Sequence, residues 1–162
     1  MYIVSVSVGY DTGEFLTPTS EALIELGAKD GSKMQHDFEI WRFVLACLLH
    51  ANLWHLVFNM IMQMILGFRL EPTVHFRRTA IVYILAGIGG NMLSADCAPT
   101  SMGVGASGAI FGMNAAMVRN RQISWVIMNW KALEGDPYRL MGLIWLIMIL
   151  VFNLLFGFVS AI

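Results

Sequence analysis

Charge is scarce in this chain: Asp, Glu, Lys and Arg make up 13% of its 162 residues against 57% hydrophobic ones, and the mean hydropathy is +0.67. An ordinary soluble domain carries roughly twice that share of charge, so the composition excludes one and makes the lipid bilayer the natural solvent. The formal net charge is −1, which leaves no basic excess to hold a nucleic acid, and no nucleic-acid partner is expected. Cysteine is nearly absent; Cys47 and Cys97 stand too far apart in sequence to announce a metal site and are expected to be ordinary thiols. The chain has no internal repeat, low-complexity tract or soluble second domain. Histidine also stops early, with none after His75.

What is present is apolar sequence in long runs. Leu140 to Ile162 is uncharged throughout, long enough to cross about 30 Å of hydrocarbon at roughly 1.5 Å per residue. Leu53 to Phe68, Thr79 to Leu93 and Gly103 to Val118 are shorter apolar stretches separated by charges or turn residues. Four membrane helices are expected from these runs. Met1 to Tyr10 is too short to span and lacks the basic flank of a secretory signal, so it reads as the tail of a helix, with an edge strand or a disordered end as alternatives. The expected organisation is one membrane domain over 1–162: a residual first helix at 1–10, an external or interfacial loop at 11–51, and helices two to five over 52–162.

Charge placement orients such a bundle, because basic residues gather in cytosolic loops. Arg69, Arg77 and Arg78 lie after the Leu53–Phe68 run, and Arg119, Arg121, Lys131 and Arg139 precede the last one. The loops at 69–78 and 119–139 are therefore expected in the cytosol of a multi-pass integral membrane protein. The loop before Asn52 holds Asp11, Glu14, Glu21, Glu25, Asp30, Asp37 and Glu39, and is expected on the other side.

Two constellations carry chemistry. In Gly103-Val-Gly-Ala-Ser107-Gly-Ala-Ile-Phe-Gly112 a glycine-rich approach leads to a lone serine that opens an apolar helix. Twelve residues of helix separate Ser107 from Arg119, which sets its hydroxyl about 18 Å from the cytosolic edge and about 10 Å below the opposite one. A serine so placed can bond back to its own helix or bridge two helices. Gly103, Gly105 and Gly108, however, permit a close backbone approach, and a helix start supplies unpaired amides and the positive dipole end, half of an oxyanion hole. Gly108, Gly112 and Ala116 form a small-residue stripe that suits close helix packing.

The second constellation is His50-Ala-Asn52-Leu-Trp-His55-Leu-Val-Phe-Asn59. With Asn52 as N-cap, His55 and Asn59 fall one turn apart on one helix face, where polar groups in an apolar helix must pair or line a cavity. His50 precedes the cap and reads as a loop brace. The His50–His55 spacing is not the i, i+4 pair of a zinc protease, and no carboxylate completes a metal site; no metal or cofactor is expected.

From about Leu26 to Ser160 these residues resemble the rhomboid intramembrane serine proteases. Trp41-Arg42 is similar to that family's Trp-Arg pair; His50, His55 and Asn59 to its His-x4-His-x3-Asn; Gly67 and Glu71 to its Gly-x3-Glu; Gly90-Asn91 and Ser94 to its Gly-Asn-x2-Ser; and Gly105-Ala-Ser-Gly108 to its Gly-x-Ser-Gly. The resemblance implies an all-α, rhomboid-like polytopic bundle that cleaves transmembrane segments of other membrane proteins with a Ser-His dyad and no cofactor. It implies Ser107 as nucleophile, His55 and Asn59 as oxyanion donors with the Ser107 backbone, support from His50, Gly105 and Gly108, and architectural roles for Trp41, Arg42 and Glu71.

The family places its dyad histidine on a sixth helix, shortly after the stretch resembling Phe156-Gly-Phe-Val-Ser160, and often a tyrosine where Phe111 stands. The chain is accordingly expected to be clipped at both ends relative to the family and inactive alone. The alternative is a catalytically inactive relative that binds transmembrane clients.

Overall fold

The computed structural model describes residues 1–13, 15–119, 147 and 151. Among them the regular structure is helical, apart from two isolated bridges, Tyr10 with Pro18 and Lys29 with Gly103. The expected run at 140–162 and the basic loop at 119–139 lie outside the described residues, save Arg119 at the end of a helix and the isolated positions 147 and 151.

A short helix α1 (Tyr2–Val8) precedes a segment that is polar by composition but not structureless. It holds α2 (Ser20–Glu25), α3 (Gly31–His36), α4 (Arg42–Leu45) and a 3-10 turn at Ala46–Leu48. Side-chain caps start two of them, with Thr19 accepting from the Ala22 amide and Asp30 from the Lys33 amide. Leu23, Ala28 and Leu49 form a small core under this segment, with Leu26, Met102 and Val104 packed against it. Arg42 closes the fold of the loop: buried, it pairs with Glu39 and donates to the carbonyls of Ile24 at 2.7 Å and Ala28 at 2.8 Å.

The bundle proper is α5 (Leu53–Val74), α6 (Phe76–Cys97) and α7 (Ser107–Arg119). Asn52 caps α5 by accepting from the His55 amide at 2.8 Å, as its position in the sequence suggests. Both α5 and α6 run past the expected apolar limits, α5 through Arg69, Glu71 and Pro72, and α6 from Arg77 and Arg78. A charge ends burial in lipid but leaves the backbone ladder intact, so the helix outlasts the apolar run. His75 alone links the two, with a positive φ of 69°, and its carbonyl accepts from Arg78 and Thr79.

Both α5 and α6, of 22 residues each, are long and apolar enough to cross a membrane. Little of either is buried within the bundle, and Met64, Phe68, Ile84, Leu85 and Leu93 face outward, as lipid-facing helices require. The core lies where α7 packs on both: Leu66 and Leu70 of α5 meet Ile110 and Met113 of α7, with Val82 and Tyr83 of α6 alongside. The sequence of α7 sets how closely it approaches α6. Gly108 lies against Gly90, and Gly112 against Ala86, so the two helices cross antiparallel through their smallest residues.

Candidate active site

The α5 N-terminus, the α6 C-terminus and the α7 N-terminus meet at one end of the bundle, where α3 and α4 pack against α6 and the 3-10 turn packs against both α6 and α7. Ser107 is the first residue of α7 and is half-buried. It is reached through Gly105, whose φ of +114° lies in the left-handed region open to glycine. The Gly105 amide donates to the Ala46 carbonyl at 2.8 Å, which fixes the approach to the serine on the 3-10 turn.

The His55 ring lies directly on that approach. A Cβ added to Gly105 would stand 2.7 Å from His55 Cε1 and 2.9 Å from Nε2, so the imidazole occupies the space that the missing side chain leaves. His55 is buried on the first turn of α5. Asn59, buried one turn on, donates through Nδ2 to the His55 carbonyl at 2.8 Å, while its Oδ1 has no partner among the described residues. One amide N–H of Asn59 is thus spent on its own helix, and the amide carries a second.

His50, in the loop before the cap, lies against this group. Its ring meets that of His55 edge to face at 5.3 Å, and neither of its nitrogens makes a hydrogen bond among the described residues. Burial first, then the neighbouring His55, pushes its pKa down to about 4; the Leu48 backbone opposes the shift without reaching hydrogen-bonding geometry. His50 is therefore neutral at physiological pH. Of the other histidines, His36 is exposed on α3 with Nδ1 3.0 Å from the Ser32 carbonyl, and His75 is exposed at the far end of the bundle.

The motif residues beyond this cluster are structural in their contacts. Glu71 folds back over Gly67, where a Cβ would come 3.9 Å from its Oε1. Asn91 donates through Nδ2 to the Phe43 carbonyl at 2.8 Å and to Cys47 Sγ at 3.3 Å, tying α6 to α4. Gly108 packs against Gly90, next to the serine. Trp41 is exposed beside the buried Arg42, and Phe111 is half-buried one turn after Ser107.

Asn114 and Lys29 are buried polar residues that no motif marks. Asn114 on α7 has an Oδ1 without a partner among the described residues, and its signal in the sequence is a lone amide in an apolar helix. Lys29 is fully buried against the end of α6, and nothing local marks it, because its partners lie more than 60 residues away. No group of three or more metal-ligating side chains occurs among the described residues.

A family model described as the Rhomboid domain matches residues 37–162. The chain is 42% identical over 117 residues to RHOMBOID-like protein 6, mitochondrial, of Arabidopsis thaliana, covering 72% of this chain and 38% of that protein. It is 38% identical over 147 residues to RHOMBOID-like protein 5 of the same plant, covering 88% and 44%. To Rhomboid-like protease 3 of Toxoplasma gondii it is 33% identical over 127 residues, covering 77% and 46%. The chain thus spans less than half the length of these relatives. No solved structure gives a significant match.

Proposed function

The chain belongs to the rhomboid family of membrane proteins, and on that premise we propose that it is the core of an intramembrane serine endopeptidase, with Ser107 as nucleophile. The observation that carries the reading is the packing of the His55 imidazole on Gly105, two residues before the serine. It supports an oxyanion site made of His55, the second N–H of Asn59 and the amide at the start of α7. The Ser107 Oγ attacks the carbonyl carbon of the scissile peptide bond, and its proton passes to a histidine base. The tetrahedral oxyanion is held by those donors, each worth about 3 kcal/mol of transition-state stabilisation. Collapse expels the amine, which takes the proton from the base, and water then hydrolyses the acyl-serine by the same route.

None of the four histidines in the sequence suits the role of base. His36 and His75 are remote, His55 is committed as donor, and His50, whose ring packs on His55, is assigned support. In the family this role belongs to a histidine on a sixth helix. The substrates are transmembrane segments of other membrane proteins, met in the bilayer near the end at which Ser107 stands.

The 162-residue chain alone is expected not to cleave a transmembrane reporter, whereas a chain carrying the sixth-helix histidine is expected to cleave it and to lose that activity in Ser107→Ala. Fluorophosphonate labelling of the longer chain that survives Ser107→Ala would remove the nucleophile assignment. Client binding without cleavage by the longer chain would favour the inactive, client-holding relative.

A further inference from the structure

Lys29 is fully buried, yet among the described residues no carboxylate lies within ion-pairing distance of its ammonium group. Four neutral oxygens surround it instead: the Ala98 carbonyl at 2.7 Å, Ser101 Oγ at 3.0 Å, and the carbonyl and Oγ of Ser94, both at 3.3 Å. Ala98 is the C-cap of α6, so the cation sits at the negative end of that helix, where its charge is favoured without a counter-ion. The backbone is tied as well. The Lys29 amide donates to the Gly103 carbonyl at 2.8 Å and the Gly103 amide to the Lys29 carbonyl at 3.1 Å. A Cβ on Gly103 would come 3.2 Å from Lys29 Cδ, and one on Gly31 would come 2.6 Å from the Pro99 backbone.

Residues 29–31 therefore touch the connection from α6 to α7 at Ala98, Pro99, Ser101 and Gly103. Four residues after Gly103 the chain reaches Ser107, with Val104 packed on the loop core and Gly105 bonded to Ala46. We propose that Lys29 is a positioning residue for Ser107: its buried ammonium group fastens the end of α6 to the segment entering α7 and so sets where the serine stands. This rests on the reading of Ser107 as nucleophile. Lys29 acts through residues 94–103, not on the reacting atoms.

Burial lowers the pKa of Lys29, with Asp30 opposing; Asp96 and Cys97, the titratable groups of the α6 end, are exposed. Raising the pH removes the third N–H and turns a lone pair toward carbonyl oxygens, so the fastening loosens in alkali.

The test uses the full-length protein in detergent micelles, comparing Lys29→Met, which keeps the stem and loses the cation, with wild type. The variant is expected to lose about 10- to 100-fold in kcat, as a displaced reacting group does, while KM stays within about twofold. It should also lack the alkaline limb of the wild-type pH profile that Lys29 deprotonation produces. Amide exchange over residues 101–107 should quicken about tenfold, a readout independent of catalysis.

Should Lys29→Met fail to fold, Ser101→Ala removes one acceptor and is expected to lower kcat about two- to tenfold. A folded Lys29→Met with unchanged kcat, pH profile and exchange overturns the inference, as does a Ser101→Ala without effect on any of them. If Ser107→Ala leaves cleavage intact, the nucleophile reading fails instead, and the exchange rates still judge the fastening.

Discussion

At the scale of single residues, the site depends on an atom that is not there. Gly105 takes a φ of +114°, and the space beside its Cα is filled by the His55 ring. An alanine here would strain the backbone by about 1–2 kcal/mol and would displace the imidazole from Gly105. Gly105→Ala is expected to remain folded and to lose on the order of 100-fold in kcat, the size of one lost oxyanion donor. Reporter cleavage by a chain carrying the sixth-helix histidine, together with a melting curve, measures this, and full activity in the folded variant would take His55 out of the oxyanion site. Part of this cluster is legible from spacing alone, since a cap at Asn52 sets His55 and Asn59 on one face by helical period. The contact between His50 and His55 is not, because it depends on how the chain turns before the cap. Lys29 is the extreme case: local sequence shows a charged residue beside Asp30, and only the arrival of α6 makes it a buried one.

Between elements, the crossing of α6 and α7 decides how near Ser107 comes to the loop. The small-residue stripe on α7 reads directly from its i, i+4, i+8 spacing, and its counterpart on α6 is Ala86 and Gly90. The two glycines of the stripe differ in room. A Cβ on Gly108 would stand 3.5 Å from the Gly90 Cα, ordinary contact, whereas one on Gly112 would overlap the Ala86 side chain. Gly108→Ala is therefore expected to hold stability within about 1 kcal/mol of wild type, its packing offset by better helix propensity. Gly112→Ala should cost about 1–3 kcal/mol by overpacking. Denaturant titration in mixed micelles ranks them, and equal losses would contradict the crossing point. Apolar runs predict where α5 and α6 enter lipid, but not where they stop, because Arg69, Glu71, Arg77 and Arg78 continue the helices beyond it. The loop before α5 hides its helices for a related reason: each is six residues or fewer, so capping side chains and tertiary contacts outweigh periodicity.

For the molecule as a whole, the bundle has two chemically distinct ends. One gathers the His50–His55 pair, Lys29, Ser107 and Cys97; the other carries the His75 turn with Arg69, Arg77 and Arg78 exposed beside it. Basic residues near short loops are retained in the cytosol, so the arginine end is expected there and the serine end on the opposite side. The two cysteines make this measurable. Cys97 is exposed at the serine end, while Cys47 is half-buried, with a thiol that burial pushes up and makes slower to react. A membrane-impermeant maleimide applied to the extracytosolic face of sealed membranes is expected to label the protein, and Cys97→Ser to abolish that labelling. With Arg77→Cys placed in the Cys97→Ser background, labelling should appear only after the membrane is permeabilised. The reverse pattern would turn the bundle over and set the serine toward the cytosol. The substrates would then have to be cleaved near their cytosolic ends, so this labelling decides which end of a transmembrane segment the site can reach.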